Sequence, residues 1–483
     1  MSTIVNGTVH ALLWESSEAC ASRRLKAVAA LAAVTEVLRA QAPLDGGERE
    51  FLQLIAGLEA EAPATARSMW VTPQAYVWVR RAYELVRAAL QEHGADAPTG
   101  RSAREVLAAH LDAFHRFALA AAARGGFDLA FERPWKTSLP LDLPDTPWSL
   151  TGEMPVATLL GFESGSLVID HAGLRTRLPC VADAAAVHGG LVMQTCPVID
   201  HEGCRIHLKP DAFHEPELAG AAAPVRAGLE FHRRHAGLVR EAVRAIHRHD
   251  PESFAHLRDD ITIIGLKPVG VGDYGNTSFS RMPGTFVTSA VVNPLVLADD
   301  LIHETYHNRL FALEEQVRFF EHDDARRDAR HYSPWRDDPR PLFGVFHAFY
   351  VFTRVLRFWR LLHGDLGEDA PAASAGHRAY ALDRILRLRG QLESARETLR
   401  DAGGFTLPGA DVFAAMEEEF DRECGRLDAL ALPDDAPAMV VTADGSYLPQ
   451  CGGSDGRPLS VKEALAEHRA AFDRQQAHSR RSR

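Results

Sequence analysis

Lysine is nearly missing from this chain. Of its 53 basic residues only five are lysines, at 26, 136, 209, 267 and 462, and the rest are arginines. Positive charge is also outweighed, since 65 acidic residues leave a formal net charge of −12. Nucleic-acid binders draw their affinity from a positive surface, so no nucleic-acid partner is expected. Cysteine is sparse: six residues, with no CxxC pair. That is no disulfide framework, and a cytoplasmic, reducing setting is the expectation. No stretch approaches 18 uninterrupted apolar residues, and the start of the chain lacks a basic segment followed by an apolar core. Neither membrane insertion nor export is expected.

The chain has 483 residues, enough for two to three domains. With 46% hydrophobic and 24% charged residues it has the composition of a folded globular protein, not of a disordered one. Histidine is abundant, at 23 residues, which makes metal chemistry worth seeking.

Apolar spacing predicts helices through residues 15–125, broken by GADAPTG at 94–100. Pro134, Pro140, Pro144 and Pro147 exclude a long helix next. The short apolar runs VATLLGF, SLVIDH, LVMQTCPVI and CRIHLKP then read as strands. A helix is expected over 224–258, strands over 261–269 and 284–292, and helices over about 295–321, 341–363, 377–402 and 409–430. The predicted fold class is α+β, predominantly helical, with a small β region. Its divisions are a helical region 1–126, a mixed region 127–260, a core 261–363, and a helical region 364–483 with a frayed basic tail.

The strongest motif is His303-Glu304-Thr305-Tyr306-His307, an HExxH. Helical positions four apart differ by about 40° around the axis, so both imidazoles share one face and can grip one metal ion. Leu301, Ile302, Tyr306, Leu310, Leu313 and Val317 supply an apolar stripe. Asp299 and Asp300 are expected at the helix start, where carboxylates suit the dipole.

A third ligand is needed. Glu314 lies seven residues past His307, about 10 Å further along a continuous helix, too far to share the ion. The HExxHxxGxxH route is excluded, because Leu310 and Leu313 hold the glycine and final histidine positions. His322, Asp323, Asp324, His331, His347 and His363 remain. His347 is favoured, since it sits in an aromatic helix with Phe343, Tyr350, Val351 and Arg354, where an unpaired imidazole is costly. It could equally be a core histidine bonded to backbone.

Between the two helices runs a loop, Tyr332 to Pro341, with three prolines, two aspartates, a Trp and two arginines. Arg336 or Arg340 could clamp a carboxylate near the metal; an Arg–Asp network bracing the loop is the alternative. Pro341 can start the following helix. Cys196, His201, Cys204 and His207 are weaker metal candidates. Ser278, Ser280 and Ser289 lack a GxSxG context, and Gly270, Gly272 and Gly275 read as a turn.

The HExxH helix, then PWRDDPRPL, then an aromatic helix ending RFW, together resemble the HExxH-type 2-oxoglutarate- and Fe(II)-dependent peptide β-hydroxylases. That family is associated with gene clusters for ribosomally made, modified peptides. The resemblance is strongest over 281–360 and extends weakly over most of 60–400. It implies a non-haem Fe(II) site using 2-oxoglutarate and O₂ to hydroxylate a Cβ in a precursor peptide, with succinate and CO₂ released. His303 and His307 would bind iron, Glu304 would stand beside it as the catalytic candidate, and His347 would be the third ligand. Arg336 and Arg340 are candidates for the 2-oxoglutarate carboxylate. Tyr306 departs from the smaller polar residue of the family's pattern, with consequences expected for the pocket wall.

Two other readings compete. Zinc with Glu304 as general base would make a metallopeptidase. A non-catalytic peptide-binding scaffold would bind no metal tightly. Target residue, oligomeric state and the role of the N-terminal helices are not written in the sequence.

Overall fold

The computed structural model describes residues 13–14, 18–41, 44–91, 102–131, 141–152, 158–171, 174–180, 186–188, 191–213, 227–268, 275–322, 330–367, 375–452 and 456–481. The turn at 94–100, Pro134, Pro140, Gly270, Gly272, Asp323 and Asp324 lie outside these.

As expected, the fold is predominantly helical α+β. Among the described residues six helices come first: α1 (Glu18–Ala40), α2 (Gly46–Glu61), α3 (Pro63–Trp70), α4 (Pro73–Gln91), α5 (Ala103–Asp112) and α6 (His115–Gly125). Capping boxes start two of them, with Asp45 and Glu48 on α2 and Ser102 and Glu105 on α5. Two four-stranded antiparallel sheets follow, one built on Leu159–Glu163, Ser166–His171 and Leu174–Pro179, the other on Trp148–Gly152 and Leu191–Thr195. Their inward residues, among them Leu150, Phe162, Leu167 and Met193, share one core with Phe51, Trp78, Phe114 and Phe117 of the helices.

A second core forms around a five-stranded sheet. Its order is Thr277–Ser278, Thr285–Ser289, Ile263–Lys267, Cys204–Leu208, Val198–His201. The three central strands run parallel, with Ile264 opposite Phe286 and Leu208; the two edges are antiparallel. Helices α7 (Leu229–His249) and α8 (Pro251–Asp260) make the crossover between parallel neighbours, as a parallel pair requires. One helix was expected here. Pro251 divides it, because proline offers no N–H and clashes with the preceding turn, and Asp250 caps the new start through the Ser253 N–H.

The HExxH helix, α9 (Pro294–Glu314), lies among α7, α8 and the following helix α10 (Leu342–Leu366). Asn293 caps it, accepting from the Leu295 and Val296 N–H groups, and Pro294 takes the first position. It ends at Glu314, a little short of the expected 321. Phe319 and Phe320 instead turn back onto Phe346, and the Glu321 N–H reaches the Gly404 carbonyl. Gly409 is needed at that turn, since a Cβ there would meet the Phe319 carbonyl oxygen.

Helices α11 (Ala375–Ala402) and α12 (Leu407–Asp428) pack on α10. A hairpin, Met439–Val441 with Tyr447–Pro449, lies against α11, and α13 (Val461–Arg481) closes the chain. No described helix is long and apolar enough to cross a membrane.

Candidate metal centre

Helix α9 is buried almost all round, as a central helix should be, and only the side bearing His303 and His307 opens to space. The two Nε2 atoms stand 3.0 Å apart. That is the spacing of donors held cis on one ion by bonds of about 2.1 Å, and equally of one neutral imidazole donating to another. Glu304 Oε1 lies 3.7 Å from His303 Nε2. Among the described residues, these three are the one group of His, Cys, Asp or Glu whose ligand atoms all lie within 4.8 Å of one another.

Burial disfavours the charged imidazolium. It holds His303 down to about 4, opposed by Asp299 and helped by Arg384, and it holds His307 well below its ordinary value, with His303 and His347 adding to the lowering. Both rings are therefore neutral, the form that binds metal. Burial acts oppositely on Glu304 and pushes it up to about 8, partly offset by a hydrogen bond from Ser278.

That serine belongs to a chain of contacts that fixes the carboxylate. Ser278 Oγ donates to Glu304 Oε2. Asn308 Nδ2 lies within bonding distance of Ser278 Oγ (3.2 Å), the Thr285 carbonyl (3.2 Å) and the Glu304 carbonyl (3.1 Å). Asn308 Oδ1 accepts from the Gly284 N–H at 2.9 Å. Gly284 has φ +82°, and a Cβ there would come within 2.9 Å of the Asp260 carbonyl oxygen, so glycine is required. Ser278, considered from sequence only as a nucleophile, instead orients Glu304.

His347 meets the site from α10. Its Nδ1 is 3.2 Å from Nδ1 of His307, with the rings stacked 5.4 Å apart at 23°. It thus faces the edge of His307 opposite the one that faces His303, and it is not part of the convergent group. Glu314, too far along the helix to share the ion, lies 3.6 Å from His347 Nε2. His322, His331 and His363 do not line the cavity described next.

The three convergent residues open into a cavity of about 1300 Å³. Phe352 packs on His303, with centroids 4.6 Å apart, and Trp335 stacks on Phe352 at 4.7 Å. The loop carrying Trp335 is closed by paired backbone bonds between His331 and Arg340 and held by Gln391, which donates to the Pro334 carbonyl. Pro341 is the N-cap of α10. Arg336 and Arg340 line the mouth but both face Asp338, at 3.0 and 3.5 Å, and both are more than a third exposed.

Asp299 and Asp300 sit in the second turn of α9, not at its start, and line the cavity. Asp300 accepts from Asn276 at 2.7 Å. Asp299 Oδ2 accepts from Trp359 Nε1 at 2.7 Å and from Arg384 at 2.6 and 3.2 Å. Tyr306 is not in the cavity wall; it is buried elsewhere, with its hydroxyl 2.7 Å from His256 Nδ1. One residue along a helix is about 100° of rotation, enough to turn it away from His307. Cys196, His201, Cys204 and His207 do not converge as a group; His201 pairs with His247 at 3.0 Å, and burial pushes the Cys204 thiol up to about 12.

Sequence reasoning missed Arg384, Ser278 as a positioning group, and Asn308. Asp299 carried a signal, being four residues before His303 and so on the same face. Comparison of the chain with protein-family models and with curated proteins gives no match.

Proposed function

We propose that this protein is an Fe(II)- and 2-oxoglutarate-dependent oxygenase that hydroxylates a Cβ in a ribosomally made precursor peptide. The supporting observation is a neutral His303–His307 pair and the Glu304 carboxylate converging at the wall of a cavity that also presents arginines. Two imidazoles and one carboxylate form the donor set that leaves positions open on non-haem Fe(II).

His303 and His307 would hold the ion and Glu304 would supply the third donor. His347, first expected as that ligand, would steer His307 from its other edge. When bound, iron with a 2-oxo acid would activate O₂ and oxidise the substrate C–H, giving succinate and CO₂. The protein's part is to keep both imidazoles neutral, anchor Glu304 through Ser278 and shield the centre with Trp335 and Phe352. The proposed setting is cytoplasmic, in keeping with free thiols at Cys180, Cys196, Cys204, Cys424 and Cys451.

A zinc metallopeptidase is the second reading, favoured by the raised proton affinity of Glu304, which suits a general base near neutral pH. Reconstitution decides between them. Fe(II), ascorbate and 2-oxoglutarate should give succinate and a +16 Da shift on a co-encoded peptide. Stoichiometric zinc with peptide cleavage, independent of 2-oxoglutarate, would establish the peptidase. A protein that binds neither metal tightly and turns nothing over would be a scaffold.

A further inference from the structure

Arg384 is held like an instrument part and leaves a donor unused. It projects from α11 into the wall of the cavity. Its Nε and Nη2 both donate to Asp299 Oδ2, at 3.2 and 2.6 Å, and that oxygen also accepts from Trp359 Nε1 at 2.7 Å. The guanidinium plane is thereby fixed, and with only 17% of the side chain exposed it cannot swing into bulk water. Among the described residues no protein acceptor pairs with Nη1. Four residues earlier, on the same face of α11, Tyr380 lines the same wall, and its hydroxyl also lacks a protein partner among the described residues. Tyr380 is in turn fixed by stacking on Tyr447, 4.6 Å away.

A fixed guanidinium and a phenol hydroxyl lining one sheltered wall, a helical turn apart, supply the kinds of donor a carboxylate requires. Arg336 and Arg340 compare poorly. Their side chains are 55% and 40% exposed, against 17% for Arg384, so neither is held in a sheltered wall. Position matters as well. Asp299, which holds Arg384, precedes His303 by four residues, a rise of about 6 Å along α9. A five-carbon oxo diacid spans about such an offset, with one end at the His303–His307 centre and the other at Arg384.

We propose that Arg384 and Tyr380 form the anion anchor of this cavity and bind the distal carboxylate of a small diacid whose other end reaches the metal centre. This rests on the metal reading above, but the anchor can be examined without turnover. Arg384 is a binding residue, and Asp299 and Trp359 are positioning residues that act through it.

The test is calorimetric titration of the full chain with four probes: 2-oxoglutarate, pyruvate and an N-acetyl-aspartate amide on Mn(II)-loaded protein, and glutarate on metal-free protein. Variants are Arg384→Gln, Arg384→Lys, Tyr380→Phe and the double Arg336→Gln/Arg340→Gln, each checked by its thermal transition. Loss of the anchor should weaken 2-oxoglutarate and glutarate at least tenfold while pyruvate, which lacks the distal carboxylate, stays within twofold. Tyr380→Phe should cost about threefold, and the rim double variant should bind as wild type. Arg384→Lys and Tyr380→Phe carry the test if Arg384→Gln fails to fold. Wild-type affinity for 2-oxoglutarate in the Arg384 variants, or its loss in the rim variant, would overturn the proposal. So would selective loss of an N-acetyl-aspartate amide probe with 2-oxoglutarate unaffected, which would give the anchor to a substrate carboxylate. Should Mn(II) fail to bind the wild type, the metal reading falls, while glutarate still reports on Arg384: a tenfold loss upholds the anchor, and no wild-type binding of glutarate overturns it.

Discussion

In the proposed site His303 and His307 would act as a pair of neutral donors, because burial disfavours the charged form of each. An imidazolium would repel both its neighbour and a metal ion. The donors should therefore be separable by metal titration. His303→Ala, His307→Ala and Glu304→Ala should each abolish stoichiometric Fe(II) or Zn(II) binding, read by metal analysis after gel filtration. His347→Ala should retain the metal with affinity lowered about 10–100-fold, the usual cost of losing a group that orients a ligand. If His347→Ala loses the ion outright while Glu304→Ala keeps it, the third donor is the histidine. Ser278 acts one step further out. Removing its hydroxyl takes away the bond that favours the ionised Glu304, so Ser278→Ala should raise the Glu304 pKa above about 8 and shift the alkaline-favoured limb of metal binding upward in pH.

Helix α7 is tied to the central strand of the sheet by one side chain. His232 is buried on α7; its Nδ1 donates to the Gly228 carbonyl at 3.1 Å, and its Nε2 accepts from the Leu266 N–H at 2.8 Å. Only a neutral ring can do both. Burial holds its pKa down to about 4 from the ordinary 6.5, against a raising effect of the Gly228 bond. The unfolded chain therefore takes up the proton first. Stability from this contact is whole above about pH 6.5 and declines as pH falls towards about 4, by up to about 3 kcal/mol. Urea midpoints of wild type and His232→Gln, compared at pH 7 and pH 5, should show the variant less stable at pH 7 but less sensitive to acid. Equal acid sensitivity would mean the ring does not titrate in that window; His207 and His110, also held low by burial, contribute equally to both proteins.

At the scale of the molecule two hydrophobic cores must be kept in register, and buried charge does part of this. Lys209 follows the strand Cys204–Leu208 of the second core. Its ammonium reaches into the first, donating to the Leu143 carbonyl (2.8 Å) and the Thr146 carbonyl (2.6 Å) and standing 2.6 Å from Asp142 Oδ1 as an ion pair. Lys209→Met should cost about 3–5 kcal/mol, because Asp142 would be left buried without its cation. Adding Asp142→Leu should recover much of that loss, and Gln74, which donates to Asp142 Oδ2 at 3.1 Å, sets how much. Calorimetry of both variants checks this; an additive double variant would show that the pair is not coupled. Glu315, just past α9, makes a second junction by accepting from Arg23 of α1 (2.8 Å) and Tyr76 of α4 (2.7 Å).

What the sequence determined alone is what depends on near neighbours. Helical spacing placed His303 and His307 on one face, short apolar runs marked the strands of both cores, and the aromatic stripe around His347 announced a buried helix. These follow from backbone periods of 3.6 and 2, which a linear reading exposes. Only the tertiary structure decided which distant side chains would meet. It brought Ser278 and Asn308 to Glu304, turned His347 to the far edge of His307, sent Tyr306 to His256, left Arg336 and Arg340 at the rim, and carried Arg384 from α11 to Asp299. Such meetings depend on the packing of whole helices against one sheet, and no local period encodes them.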